Sequence, residues 1–278
     1  MKKALTTIMI ALAGMLWAIG DETSAPKDKD AEISPMELAK RADANYKAKK
    51  YQEAITLYER ALETSPSAEL WYNLGNARYR VGEPGKAILA YERALRLNPT
   101  MREARANLEF VNTRIVDRPG RRGSFLERKC DKIAGSLSSG SWAVWALLMF
   151  VLAAGGVVVY VTGSSIMLRK TGFFGSGVLL LLCFGILFLS FRARAIATDS
   201  KTAIVTARST VLSTVPHRPT QPGEEAMLLH EGTNVEVIDV VRSSEDTTSR
   251  GGYWYDVRID NTHRAWINAE DVTKVYPF

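Results

Sequence analysis

The sequence predicts a multidomain chain of α, membrane and β parts: helical repeats, a two-helix transmembrane hairpin and a small β-barrel. Three observations predict it. A pattern of aromatic and small residues recurs after 33 residues; two uncharged runs of 21 residues stand on either side of a short basic gap; and from Lys201 the pattern changes to short alternating strands. The expected boundaries are a signal peptide at 1–20, a linker at 21–33, the repeat domain with its capping helix at 34–117, a basic amphipathic segment at 118–141, membrane helices at 142–162 and 172–191, and the β domain at 202–278.

Met1-Lys2-Lys3 is a basic start, Ala4 to Ile19 an apolar core, and Ala18-Ile19-Gly20 a small-x-small site before Asp21. Cleaved or retained as an anchor, such a segment sends the chain beyond Asp21 across the membrane. Asp21 to Ile33 is charged and aperiodic, which suits a linker.

Within the repeat domain, Ala54-Ile55, Tyr58-Glu59-Arg60-Ala61-Leu62 and Pro66 return as Ala87-Ile88, Tyr91-Glu92-Arg93-Ala94-Leu95 and Pro99. Between them stand Trp71-Tyr72-Asn73-Leu74-Gly75-Asn76-Ala77, Tyr79 and Gly82. Small residues at Ala54, Ala61, Gly75, Ala87 and Ala94 let paired helices approach, and the aromatics fill the gaps between them. These residues resemble the tetratricopeptide (TPR) signature. Leu38, Arg41, Ala42 and Asn45 depart from it in the first helix. Ser34-Pro35-Met36-Glu37 and Thr100-Met101-Arg102-Glu103 read as capping boxes, and Glu103 to Val116 as a fifth helix.

The TPR resemblance implies a concave groove, lined by first helices, that binds peptides or partner helices. By position it assigns peptide contact to Asp43, Tyr46, Lys47, Tyr72, Asn76, Tyr79 and Arg80. Tyr46 and Tyr79 are equally suited to packing between repeats, and Lys47 and Arg80 to solvated surface. Asn76 and Arg80 are expected outside the inter-helix core. Two repeats make a short groove of modest affinity.

Trp142 to Thr162 and Thr171 to Phe191 each span a bilayer at 1.5 Å per residue. Two spans return the chain to the side it left, so both soluble domains share a compartment. The export signal makes it the periplasm of a bacterial inner-membrane protein. The basic residues from Arg118 to Lys132, with Arg192, Arg194 and Lys201, argue the opposite orientation. The signal is the stronger guide, because an exported segment is committed before later charges emerge. Ser124 to Leu137 reads as an amphipathic helix with membrane lipid as its partner, or as a solvated linker. Net charge is +6, yet no basic face is interleaved with aromatics, so nucleic acid is not an expected partner.

In the β domain the expected strands are Thr202–Thr206, Asn234–Val241, Tyr253–Ile259, His263–Ile267 and Val272–Tyr276, with Pro216 to Gly223 a surface loop. Leu229-His230-Glu231-Gly232-Thr233-Asn234-Val235-Glu236-Val237, and Trp254-Tyr255-Asp256-Val257 with Ala265-Trp266-Ile267, resemble a bacterial SH3-like domain. Ala265 stands where glycine is usual. The resemblance implies a ligand site, with Tyr253, Trp254 and Trp266 its candidates and Trp266 also suited to plain core.

No nucleotide-binding loop, zinc-protease motif, nucleophile elbow or Cys-x-x-Cys occurs. His217, His230 and His263 match no metal spacing, and Cys130 and Cys183 are expected as unpaired thiols. No catalytic residue, metal or cofactor is expected. The order of parts, with Ala106-Asn107-Leu108-Glu109-Phe110-Val111 in the capping helix, resembles the BatE-type proteins of the Bacteroides aerotolerance operon. That resemblance implies partners among membrane-anchored von Willebrand factor A proteins and a MoxR-type ATPase system, in envelope integrity or oxidative-stress tolerance. The expected function is a membrane scaffold; the alternative is a peptidoglycan sensor or anchor acting through the SH3-like domain.

Overall fold

The computed structural model describes residues 33–117, 123–243 and 252–277. The expected signal peptide, nearly all of the linker and residues 118–122 of the basic segment lie outside the described residues.

Five helices form the repeat domain: α1 (Pro35–Lys47), α2 (Tyr51–Thr64), α3 (Ala68–Arg80), α4 (Pro84–Leu97) and α5 (Arg102–Asn112). Ser34 caps α1, its hydroxyl accepting from the Glu37 amide at 3.3 Å, with Pro35 in the first turn. Glu37 instead turns its carboxylate to Arg41, so only half of the box forms. Ser67 caps α3 in the same way. The helices meet across fully buried alanines (Ala42, Ala54, Ala77, Ala94, Ala104), with Ile55, Tyr58, Leu62, Trp71 and Leu74 between them. Each small side chain lets a neighbouring ring settle closer.

The start and end of α5 differ from expectation. Met101 is its N-cap and makes no side-chain cap, because the Thr100 hydroxyl donates to Asn98 Oδ1 at 2.7 Å. The helix stops at Asn112 rather than continuing to Val116. Ile115 thereby leaves the helical stripe and joins Ile88, Leu89, Val111, Ile204 and Val275 in a second apolar cluster.

That cluster joins two domains, since Ile204 and Val275 belong to the β domain. Seven strands, β1 (Thr202–Val205), β2 (Ser209–Ser213), β3 (Glu225–His230), β4 (Asn234–Arg242), β5 (Tyr253–Arg258), β6 (Arg264–Asn268) and β7 (Val272–Lys274), run in the order β3-β2-β6-β5-β4-β1-β7. The five expected strands are present, with ends shifted by a residue or two. β2 and β3 were not expected; they pair as a hairpin whose connection carries the Pro-rich loop. The sheet is open, with β3 and β7 at its edges, so the closed barrel is not what forms. β2 and β6 share the single pair Ser213↔Trp266 and then diverge.

Polar contacts lock the sheet to the repeats. Arg93 of α4 donates to the carbonyls of Val275 (3.2 Å) and Lys274 (2.9 Å) while lying over the Trp71 ring. Burial lowers the pKa of that guanidinium to about 10. Asp117, just past α5, accepts from the His230 amide (2.5 Å), the His230 ring (2.9 Å) and the Thr233 hydroxyl (2.7 Å). Gly232 holds this turn at φ +89, and a Cβ there would lie 2.7 Å from Ile115.

Between the two domains runs a helical hairpin. The amphipathic α6 (Phe125–Ala134) leads to α7 (Ser139–Thr162) and α8 (Ile166–Ala197), 24 and 32 residues long and both long and apolar enough to cross a membrane. Ser165 caps α8, so the expected eight-residue gap shrinks to Gly163–Ser165. The pair is close: a Cβ on Gly172 would sit 2.6 Å from the Gly156 carbonyl. Leu181, Phe184 and Phe191 point outward, at least 67% exposed. α6 is tied to α8 by Arg192, whose Nε donates to Asp131 at 2.5 Å, while Phe125, Leu126 and Ile133 stay exposed. Cys130 and Cys183 are free thiols.

Candidate functional site

The first-helix residues singled out from sequence fall into three groups. Asp43, Tyr46, Lys47 and Asn76 line one open pocket of about 250 Å³, together with Tyr58 and Asn73. Tyr72 and Tyr79 pack instead. Tyr72 leans on Tyr91 at 6.1 Å between ring centres; Tyr79 meets Phe110 edge-on and accepts from Arg114. Arg80 is exposed, outside the pocket lining, and hydrogen-bonded to Tyr46, which lines it.

Hydrogen bonds fix the pocket floor. Asp43 accepts from the Tyr58 hydroxyl at 2.5 Å and from Asn73 Nδ2 at 3.3 Å. Burial and then the Asp43 carboxylate push the Tyr58 pKa up, so that phenol stays protonated and donating. Asn76 Oδ1 accepts twice at 2.8 Å, from the Tyr91 hydroxyl of α4 and from Asn107 Nδ2 of α5. This corrects the expectation that Asn76 stands outside the inter-helix core: its oxygen ties three helices, and only its amide nitrogen is left for a ligand. Tyr46 is half-buried and rests edge-on against Tyr51 at 5.3 Å. The exposed cations are Lys47 and Arg80. Asn73, Tyr58 and Asn107 were missed from sequence; for Asn73 the three-residue helical spacing from Asn76 was the available signal.

In the sheet, Tyr253, Trp254 and Trp266 do not form one groove. Adjacent strand residues face opposite sides, so Tyr253 and Trp254 diverge. Tyr253 is exposed beside Arg242, Trp254 is 2% exposed, and Trp266 is half-buried. Trp254 instead pairs across the ladder with Asn268, and both line a pocket of about 470 Å³ under the Pro-rich loop, where β2 parts from β6. The buried Trp254 Nε1 and Asn268 Nδ2 have no acceptor among the described residues. Glu225, Glu270, Asp271 and Arg218 surround them.

The histidines serve turns and contacts between domains: His230 holds Asp117 and His263 holds Asp260. Among the described residues no cluster of His, Cys, Asp and Glu is arranged to hold a metal ion.

No curated protein matches the chain. Residues 39–102, from α1 to the start of α5, match the family model described as Tetratricopeptide repeat, so the helical domain carries TPR repeats and, with them, a general capacity for protein–protein interaction.

Proposed function

We propose that the chain is a non-enzymatic adaptor, anchored in a bacterial inner membrane by α7 and α8, that receives protein partners on the concave face of its TPR repeats. Its soluble domains face the periplasm in this reading. The observation that carries it is the pre-ordered pocket of Asp43, Tyr46, Lys47, Asn73 and Asn76. Groups already held by hydrogen bonds lose little freedom when a peptide binds, which lowers the cost of association. Lys47 and Arg80 favour an acidic side chain or a terminal carboxylate, and Tyr46 offers an apolar surface. The resemblance to BatE-type proteins supports von Willebrand factor A-type partners, a MoxR-type ATPase system and a role in envelope integrity or aerotolerance.

The test is co-purification from membranes with Lys47→Glu and Arg80→Glu combined. Both residues are exposed, so helical content should hold while partner yield falls about tenfold or more. Full yield from the double variant removes the groove from the account.

A second reading, a wall-binding β domain, is supported by the two N–H donors beneath the Pro-rich loop that lack acceptors among the described residues. Such donors favour a ligand carbonyl. Binding of peptidoglycan fragments that Asn268→Leu abolishes and Lys47→Glu leaves intact would favour this reading over the first.

A further inference from the structure

α8 carries no charge from Thr171 to Phe191, 21 residues, about 31 Å of helix. This matches the roughly 30 Å of a bilayer's hydrocarbon core. Arg192 then stands at headgroup level, and Ala193 to Ala197 rise one to two turns beyond it. Ser190 hydrogen-bonds the Ser139 carbonyl, so the start of α7 lies at the same height.

A pocket of about 400 Å³ opens there, between the hairpin and the repeats. Its apolar wall includes Leu137, Ala193 and Ile196. Facing it from the repeats are Glu92 and Arg105. Glu92 makes no hydrogen bond to any described residue. Burial raises its pKa even though Arg96 and Arg105 pull it down. Arg96 is engaged elsewhere, donating to the Ile196 and Asp199 carbonyls and pairing with the Asp199 carboxylate at 3.7 Å. Arg105 donates from one nitrogen to the carbonyls of Pro99 (2.7 Å) and Gly135 (3.3 Å) and has no carboxylate within ion-pair distance among the described residues.

We infer that this pocket binds one aminophospholipid, with its ammonium on the Glu92 carboxylate, its phosphate on the Arg105 guanidinium and the root of an acyl chain along Leu137 and Ile196. The inference rests on the reading that α7 and α8 cross a membrane. Each part of the lipid answers one feature. A bare phosphate would leave Glu92 unmatched and repelled. A choline headgroup has no N–H to give it. A soluble amine would leave the apolar wall open to water. Only a ligand carrying both charges and an acyl chain meets all three.

The experiment uses the full chain, stripped of lipid in detergent and offered mixed micelles of phosphatidylethanolamine, phosphatidylcholine or phosphatidylglycerol with identical chains. Bound lipid is counted by native mass spectrometry. One phosphatidylethanolamine should bind per chain, preferred about tenfold over phosphatidylcholine, the size expected for one charged hydrogen bond. Glu92→Gln should level that preference. Arg105→Ala should weaken phosphatidylethanolamine and phosphatidylglycerol alike. Leu137→Trp should fill the pocket and expel the lipid with helical content unchanged. A preference that survives Glu92→Gln, or lipid retained by Leu137→Trp, overturns the inference. Glycerophosphoethanolamine competing as well as the intact lipid would overturn its membrane part. Alkaline carbonate extraction is run in parallel. Release of the wild type there refutes the membrane reading, whereas loss of the pocket alone leaves the protein in the pellet.

Discussion

Replacing Asp117 with alanine removes three hydrogen bonds that hold the β3–β4 turn against the repeats: those from the His230 amide, the His230 ring and the Thr233 hydroxyl. A hydrogen bond to a charged group contributes about 1.5–3 kcal/mol when buried. Here Asp117 and His230 are 17% and 32% exposed, and water can replace part of what is lost, so the set is worth about 2–4 kcal/mol rather than the full sum. That corresponds to an increase of about 30- to 1,000-fold in the opening equilibrium of the turn. Hydrogen exchange at Gly232 to Asn234 reads it directly. The wild type should show the same weakness in acid. Burial raises the Asp117 pKa, but the bonds from His230 and Thr233 outweigh it and hold the value below the usual carboxylate range. A depressed folded-state value means the unfolded chain binds the proton first. The stabilisation is therefore present above about pH 4 and lost as pH falls through the folded value. Asp117→Asn should flatten that dependence. Exchange at the turn rising less than about threefold in Asp117→Ala would refute the reasoning, because the turn would then be held by the apolar cluster and the other contacts between the domains, those of Arg93 among them, without Asp117.

The same geometry sets two further outcomes. Gly85→Ala should pry the domains apart, because its Cβ would lie 2.8 Å from the Val205 carbonyl and 2.9 Å from the Gly232 nitrogen, both backbone; a lower thermal midpoint with unaltered helical content is expected. Alkaline phosphatase fused after Val116 and after Phe278 should behave alike, both active, while a fusion after Arg169 should be inactive.

The repeats were legible because their signal is local and doubled: the same small and aromatic positions return after 33 residues, each with a packing reason. The two long apolar helices were legible from length and charge alone. What the sequence could not show was contact between distant segments. Ile115 falls on the apolar stripe of a continued helix, and only the presence of Ile204 and Val275 explains why the chain leaves that helix. Asp117 looks like a linker residue until His230 is placed against it. Asn76 kept its expected position but not its expected freedom, since Asn107 arrives from a helix 31 residues away. β2 and β3 escape notice because Pro216 to Gly223 dominates that stretch, and a hairpin with so long a connection has no turn signature. Within the aromatic trio of the β domain, Tyr253 is separated from Trp254 for a plainer reason: neighbours on a strand face opposite ways.

Docking between the domains also changes how the roles can be separated. Deleting Lys201 to Phe278 would strip Ile88, Leu89 and Ile115 of their cover, so lost binding would not identify the binding module. Point changes on exposed groove residues avoid this.

The central claim, that the concave TPR face receives a protein partner at the membrane, is tested most directly by a photo-crosslinking side chain at Lys47 in intact membranes. Gln52, exposed at the start of α2 and absent from the pocket lining, is the control. A single membrane-protein adduct from Lys47, absent from Gln52 and lost on Arg80→Glu, is the predicted result. Equal adducts from both positions, or an adduct from Lys47 that Arg80→Glu leaves unchanged, would contradict the account.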